Sequence, residues 1–118
     1  MHQRLVSILN TLTLEEKENV SKKILQTYNK KGVCIVHFLY FANIILNNLN
    51  DDKKNPKRES YHDSLARSDF LLPDGIALRT LYKKIYKKEL PNLNGTDFLP
   101  FFLKNTPKEM PVEIIVYG

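Results

Sequence analysis

The stretch "SDFLLPDGIAL", residues 68–78, constrains the fold of this chain more than any other part of the sequence. A short apolar run, Asp69 to Leu72, stops at a Pro-Asp-Gly turn, and apolar residues then recur at helical spacing. A strand that turns directly into a helix is the repeating unit of layered α/β domains. We therefore expect the turn to lie at the carboxyl end of a buried strand.

The rest of the chain shows the same alternation of strand and helix patterns. Residues 33–39 are rich in β-branched and aromatic side chains, which is typical of a buried strand, and residues 112–118 predict another. A capping-box pattern at Thr13 and Glu16 opens a helix that ends near Gly32. Further helical patterns cover residues 44–49, 61–67 and 76–85, and Thr96 or Asp97 is expected to cap a short helix. The sequence predicts an α/β fold with a Rossmann-like layered domain and a mostly parallel sheet.

Composition sets limits on size and location. A chain of 118 residues is long enough for one small globular domain. The single cysteine, Cys34, excludes an internal disulfide framework and is expected to be a small buried hydrophobic residue in a reducing cytoplasm. The first residues lack a secretory signal pattern, and the apolar stretch at 33–46 is too short to span a membrane. We therefore expect a cytoplasmic protein.

The net charge of +5 suits an anionic partner but does not choose among nucleic acid, a phosphorylated substrate and a membrane surface. The basic positions at 83, 84, 87 and 88 are interpreted, in order of preference, as a solvated helix surface, a contact for anionic lipid headgroups, or a nucleic-acid patch. Tyr82 and Tyr86 are expected to be packed rather than to stack on bases. The histidines form no ligand cluster, and no Gly-rich phosphate loop is present, so we expect no metal site and no nucleotide cofactor of those classes.

Asp74 is the candidate catalytic residue. Ligands of parallel sheets bind at the carboxyl ends of the strands, and Asp74 follows its strand at once. The helix that begins after it is close enough for its N-terminal dipole to favour an ionised carboxylate, which could act as a general base toward a hydroxyl. Gly75 allows a sharp turn or a close approach of a ligand. From this local pattern alone, the simpler interpretation is favoured, in which Asp74 caps a helix within a common turn.

Two blocks of sequence resemble the WecG/TagA/CpsF family of bacterial glycosyltransferases, glycosyltransferase family 26. Members carry an Ala/Ser-Asp, three hydrophobic residues and Pro-Asp-Gly, here Ser68 to Gly75, and then a Gly-Ser/Thr-Asp block that opens a helix, here Gly95 to Asp97. The similarity covers about residues 33–118. Residues 1–32 lie outside it and are predicted from their own apolar spacing to form an N-terminal amphipathic helical segment. Residues 33–118 would then be the N-terminal half of a glycosyltransferase-like α/β domain, truncated after the strand at 112–118.

The resemblance implies transfer of a sugar such as N-acetylmannosamine from a UDP-sugar donor to a lipid-diphosphate-linked saccharide acceptor. Such products enter teichoic acid, capsule and other exopolysaccharides. The reaction would be metal-independent and would take place at the inner face of the cell membrane. Asp74 would be the base that deprotonates the acceptor hydroxyl. Substrate-binding positions would be Gly75, Asn94, Gly95, Thr96 and Asp97, with backbone N–H groups of the second turn and the helix N-terminus available to sugar or phosphate oxygens.

This chain departs from the family pattern at two places. Many members have Thr and Asn at the end of the first strand, where this chain has His37 to Tyr40, and an Arg that precedes the second block corresponds to Asn92. The donor contacts of those residues are therefore not carried over, and the sugar is not specified. An alternative from a different class is a small basic binding or interaction module without catalysis, in which Asp74 only caps a helix.

Overall fold

The computed structural model describes residues 3–42, 61–110 and 112–115. The elements of this part of the chain are α1 (Gln3–Asn10), α2 (Lys17–Lys31), β1 (Val36–Tyr40), α3 (Tyr61–Ala66), β2 (Phe70–Asp74), α4 (Ile76–Tyr86) and α5 (Gly95–Asn105). β1 and β2 form a two-stranded parallel sheet. Helices and parallel strands in this order agree with the α/β class that the sequence predicts.

Hydrophobic clusters lie on both faces of this sheet. Successive residues of a strand point to opposite faces, and Leu71 and Leu72 of β2 accordingly belong to different clusters. The first cluster contains Leu71 with residues of β1, α1, α3 and α4, and the second contains Leu72 with residues of α2 and α5. The buried members of the first are Ile8, Leu9, Leu12, Leu39, Leu65, Leu71, Leu78, Tyr82 and Leu90, and those of the second are Val20, Ile24, Leu72, Leu93, Phe98 and Phe102.

The N-terminal 32 residues contribute to both clusters. Leu9 of α1 is 1% exposed in the first cluster, and Val20 of α2 is fully buried in the second. The Thr13 N–H donates a hydrogen bond of 2.8 Å to the Leu71 carbonyl, so the connection between α1 and α2 lies beside β2. The helical segment therefore packs into the same core as the sheet.

The start of α2 differs from the prediction. α2 begins at Lys17 with Glu16 as its N-cap residue, and no side chain caps it, so the capping box at Thr13 and Glu16 is wrong. Thr13 instead uses its backbone to bind β2. The end of α2 is as predicted, because Gly32 adopts the left-handed conformation with φ of 79° and donates its N–H to the Tyr28 carbonyl.

Two other predictions are corrected by the packing. The sequence places Ile76 on the apolar side of its helix, but Ile76 is the first residue of α4 and is 77% exposed. Residues 112–115 form no strand, and Ile114 and Ile115 are 42% and 67% exposed. A strand needs a neighbour for its backbone hydrogen bonds, and within the described residues the pairing joins β1 and β2 only. The predicted helix at 44–49 and residues 116–118 of the predicted strand lie outside the described residues.

Every helix in the described ranges is too short or too polar to cross a lipid bilayer.

Candidate functional site

The candidate site lies at the carboxyl ends of both strands. Tyr40 and Asp74 are the last residues of β1 and β2, and they are opposite each other in the parallel register. Residues two apart on a strand share a face, so Tyr40 lies on the same face as Phe38, whose ring packs against Phe98 of α5 with centroids 6.4 Å apart. The side chains of Tyr40 and Asp74 are therefore on the face that α5 covers.

Asp74 is a buried carboxylate, with 6% of its surface exposed. Its Oδ2 accepts a hydrogen bond of 3.1 Å from the Gly95 N–H, and its carboxylate also accepts one from the Tyr40 hydroxyl. Gly95 is the first residue of α5, where the helix dipole favours a negative charge. The helix N-terminus that donates to Asp74 is thus that of α5, whereas the sequence suggests α4. The reason is that α4 packs through Leu78 into the first cluster, which lies on the face of the sheet opposite to the Asp74 side chain.

A second hydrogen bond joins the same two turns in the opposite direction. The Gly75 N–H donates to Asn94 Oδ1 at 3.1 Å, so each turn supplies one backbone donor and one side-chain acceptor. Gly75 has φ of 92°, which side chains of L-residues rarely allow. At Gly95 the requirement is space, because a Cβ there would lie 3.3 Å from Asp74 Oδ2. Gly75 is therefore favoured by its backbone conformation, and a side chain at position 95 would press against the Asp74 carboxylate.

The start of α5 already uses several of its N–H groups. The Gly95 N–H is bound to Asp74, and the Asp97 and Phe98 N–H groups donate to the Asn94 carbonyl at 2.9 and 2.7 Å. A sugar or phosphate oxygen bound by these groups would have to displace those acceptors. The N-cap residue of α5 is Asn94, without a side-chain cap, so the prediction that Thr96 or Asp97 caps this helix is wrong.

The other two predicted site residues, Thr96 and Asp97, lie at the surface beside the two turns. Thr96 and Asp97 are both exposed in the first turn of α5. Asp97 Oδ2 accepts a hydrogen bond of 3.1 Å from the Asn92 side-chain amide. The structure thus brings Gly75, Asn94 and Gly95 into direct contact around Asp74 and leaves Thr96 and Asp97 on the surface beside them.

Tyr40 is the residue of this site that the sequence analysis does not identify. Its hydrogen bond to Asp74 and the negative charge of that carboxylate raise the pKa of Tyr40, because both disfavour the phenolate. Its side chain is 47% exposed, and its Cδ1 lies 3.7 Å from the place that a Cβ on Gly75 would occupy. One signal in the sequence could have identified Tyr40. It follows the predicted strand at 33–39, and in a parallel sheet the end of this strand lies beside the end of the strand of Asp74.

A different carboxylate lies at the amino end of β2. Asp69 accepts a hydrogen bond of 2.8 Å from the Ile35 N–H and forms an ion pair with Lys31, and these contacts lower the pKa of Asp69. Burial and the charge of Asp69 raise the pKa of the nearby Cys34 thiol to about 11. Cys34 is therefore a protonated thiol at neutral pH and not a nucleophile. Burial also lowers the pKa of His37, because it disfavours the charged imidazolium.

The lysines of α4 and the turn after it form an exposed basic surface. Lys84, Lys87 and Lys88 are exposed, while Lys83 forms an ion pair with Glu89. The rings of Tyr82 and Tyr86 stack on each other with centroids 4.5 Å apart, and the sequence prediction that they are packed is confirmed. In the part of the chain that the structure describes, no group of three or more His, Cys, Asp or Glu residues could hold a metal ion.

The chain matches no protein-family model, no curated protein and no solved structure. A function for this chain has to account for the buried carboxylate of Asp74 and for the paired turns around it.

Proposed function

We propose that this chain is a glycosyltransferase, or part of one. It would transfer a sugar such as N-acetylmannosamine from a UDP-sugar to a lipid-diphosphate-linked acceptor in the synthesis of exopolysaccharide or teichoic acid. The observation that carries the proposal is a carboxylate, that of Asp74, at the carboxyl edge of parallel strands and at the N-terminus of α5. The resemblance at residues 68–75 and 95–97 supports it, because Asp74 of the first block accepts a hydrogen bond from Gly95 of the second.

In this proposal Asp74 is the general base. The acceptor hydroxyl gives its proton to the Asp74 carboxylate while the acceptor oxygen bonds to the anomeric carbon of the donor sugar. The bond between that carbon and the diphosphate breaks, and its electron pair leaves on UDP. A carboxylate can accept about four hydrogen bonds, so Asp74 can take this proton while Gly95 and Tyr40 continue to donate to it.

The wider setting of the reaction belongs to the same proposal. Residues 33–118 would belong to a Rossmann-like domain, and the resemblance implies that the reaction is metal-independent. The protein would act in the cytoplasm at the inner face of the membrane, where its lipid-linked acceptor lies. The exposed lysines Lys84, Lys87 and Lys88 would then face anionic headgroups.

The variant Asp74→Asn tests the proposed base. Asparagine has nearly the same shape, and its oxygen can accept the Gly95 N–H, so the fold is retained while the proton acceptor is lost. We expect transfer from the UDP-sugar to the lipid-linked acceptor, measured as product formation and UDP release, to fall by about 10²–10⁴-fold. Circular dichroism and thermal melting would check that the variant is folded.

Asp69→Asn is the matched control, because Asp69 precedes the same strand and also accepts a backbone N–H, but at the opposite end of the sheet. Transfer should persist in this variant at temperatures where it is folded. Full activity in folded Asp74→Asn would contradict the role of Asp74 as base. Absence of transfer by the unmodified chain would favour the alternative, a basic interaction module in which Asp74 ties β2 to α5.

A further inference from the structure

We propose that Tyr40 is a positioning residue for Asp74, and that its hydroxyl, together with the Gly95 N–H, holds the carboxylate in the orientation in which it receives the acceptor proton. This inference rests on the function proposed above and adds a residue that the two sequence blocks do not contain. It also assigns a role to a position where this chain departs from the family that it resembles.

The register of the sheet brings the two side chains together. Tyr40 and Asp74 are Cα partners at the ends of parallel strands, so their side chains leave the same face side by side. The Tyr40 ring also lies next to Gly75, the residue that follows Asp74, since its Cδ1 is 3.7 Å from the place that a Cβ there would occupy. Tyr40 is therefore held next to the carboxylate by the strand pairing itself, and not by a flexible loop.

The two donors to Asp74 come from different elements. Gly95 belongs to α5, and Tyr40 belongs to β1, while Asp74 ends β2. A carboxylate that is hydrogen-bonded from two directions is fixed about both of its side-chain torsions. The pKa of Tyr40 is raised, so its phenol stays protonated and remains a donor throughout the neutral range.

The two residues differ in exposure. Asp74 is 6% exposed, whereas Tyr40 is 47% exposed. Tyr40 therefore reaches the surface beside the buried carboxylate. Removal of the phenol oxygen alone leaves the ring in this place and deletes only the hydrogen bond to the carboxylate.

The test is the variant Tyr40→Phe in the full chain. We expect kcat to fall about tenfold, the effect of one hydrogen bond to a charged group, while KM for both substrates stays within about twofold because the ring remains. The residue is half exposed, so this change should not unfold the chain. In the double variant Tyr40→Phe with Asp74→Asn, we expect no further loss beyond that of Asp74→Asn, because Tyr40 acts through Asp74.

A spectroscopic readout checks the contact without any transfer reaction. In an ultraviolet titration of the phenols, one tyrosine should titrate above the others in the unmodified chain. It should move down in Asp74→Asn and be missing in Tyr40→Phe. Tyr86→Phe is the matched control, because the Tyr86 hydroxyl also donates to a side chain, Asn10 Oδ1 at 2.9 Å, but belongs to a different cluster. It should leave kcat unchanged.

The outcomes separate this inference from the proposed function. If Asp74→Asn loses transfer while folded Tyr40→Phe keeps its kcat, the role of Tyr40 is refuted and the base assignment stands. If Tyr40→Phe raises KM and leaves kcat unchanged, Tyr40 binds substrate directly and does not position Asp74. If the unmodified chain transfers no sugar, both proposals fail.

Discussion

The Asp74 side chain connects three elements of the molecule, because it ends β2 and accepts hydrogen bonds from β1 and α5. Hydrogen bonds to an ionised group are about twice as strong as those between neutral groups, so this carboxylate contributes to the fold as well as to the proposed chemistry. For this reason its replacement has to be isosteric, and stability has to be measured next to activity.

The contribution of Asp69 to the stability of the fold should depend on pH. Its folded pKa is lowered by the Ile35 N–H and by Lys31, so its contribution to folding is fully present above the pKa of an unfolded aspartate, about 4. As the pH falls below this value and through the lower folded pKa, that contribution is lost. We expect Asp69→Asn to lower the free energy of unfolding by about 1 kcal/mol at pH 7, and by progressively less below pH 4.

Urea unfolding at pH 7 and at pH 3 would measure this difference. Lys31→Gln is the matched variant, since it removes the other member of the ion pair. The effects of the two substitutions should not add in the double variant. A destabilisation by Asp69→Asn that is equal at both pH values would show that the charge of Asp69 does not contribute.

At the scale of elements, the end of α4 carries a backbone strain that the sequence does not reveal. Lys87, the C-cap residue after Tyr86, is not a glycine, yet its backbone adopts the left-handed conformation with φ of 58°. Its N–H donates to the Lys83 carbonyl, which is the bond that a glycine usually makes at this position. A residue with a Cβ is disfavoured in this conformation by roughly 1–2 kcal/mol.

Lys87→Gly should therefore stabilise the chain. Glycine relieves the strain but gains more freedom in the unfolded chain, so we expect a net increase of about 0.5–1 kcal/mol in the free energy of unfolding. Lys88→Gly removes the same charge at a neighbouring position without positive φ and should give no increase. Urea unfolding of both variants would measure the difference. Equal effects of the two substitutions would contradict the explanation by strain.

At the scale of the whole molecule, the N-terminal segment belongs to the core. α1 and α2 contribute buried residues to the clusters on both faces of the sheet, and Thr13 binds β2 through its backbone. The segment that the sequence describes only as an amphipathic helix thus consists of two helices, one for each cluster. We expect this segment to unfold together with the sheet.

The variant Leu9→Ala tests this connection. Leu9 is 1% exposed, so its truncation should lower the free energy of unfolding by about 2–5 kcal/mol. Leu14→Ala is the matched control, because Leu14 is 49% exposed in the connection to α2, and its effect should stay within about 0.5 kcal/mol. Denaturant unfolding followed by circular dichroism would measure both. A small effect of Leu9→Ala would mean that α1 does not belong to the core.

Prediction from the sequence succeeded for runs and periodic patterns of apolar residues, whereas the predicted helix caps were wrong. Residues 33–39 and 69–72 predict strands, and β1 and β2 lie within a few residues of them, because a buried strand requires a run of apolar side chains. The helices α2 and α4 are likewise predicted by apolar residues that recur at helical spacing. The strand predicted at 112–118 failed for residues 112–115, since an apolar run becomes a strand only where a neighbouring strand pairs with it.

Local patterns in the sequence predict the order strand, turn and helix around Pro73-Asp74-Gly75, and they identify Asp74 as the candidate residue. The groups that contact its carboxylate follow from the tertiary structure alone. Gly95 is 21 residues away along the chain and Tyr40 lies on the other strand, so these contacts depend on sheet register and on the packing of α5. Both are set by the burial of side chains from distant segments, which no local pattern of residues contains.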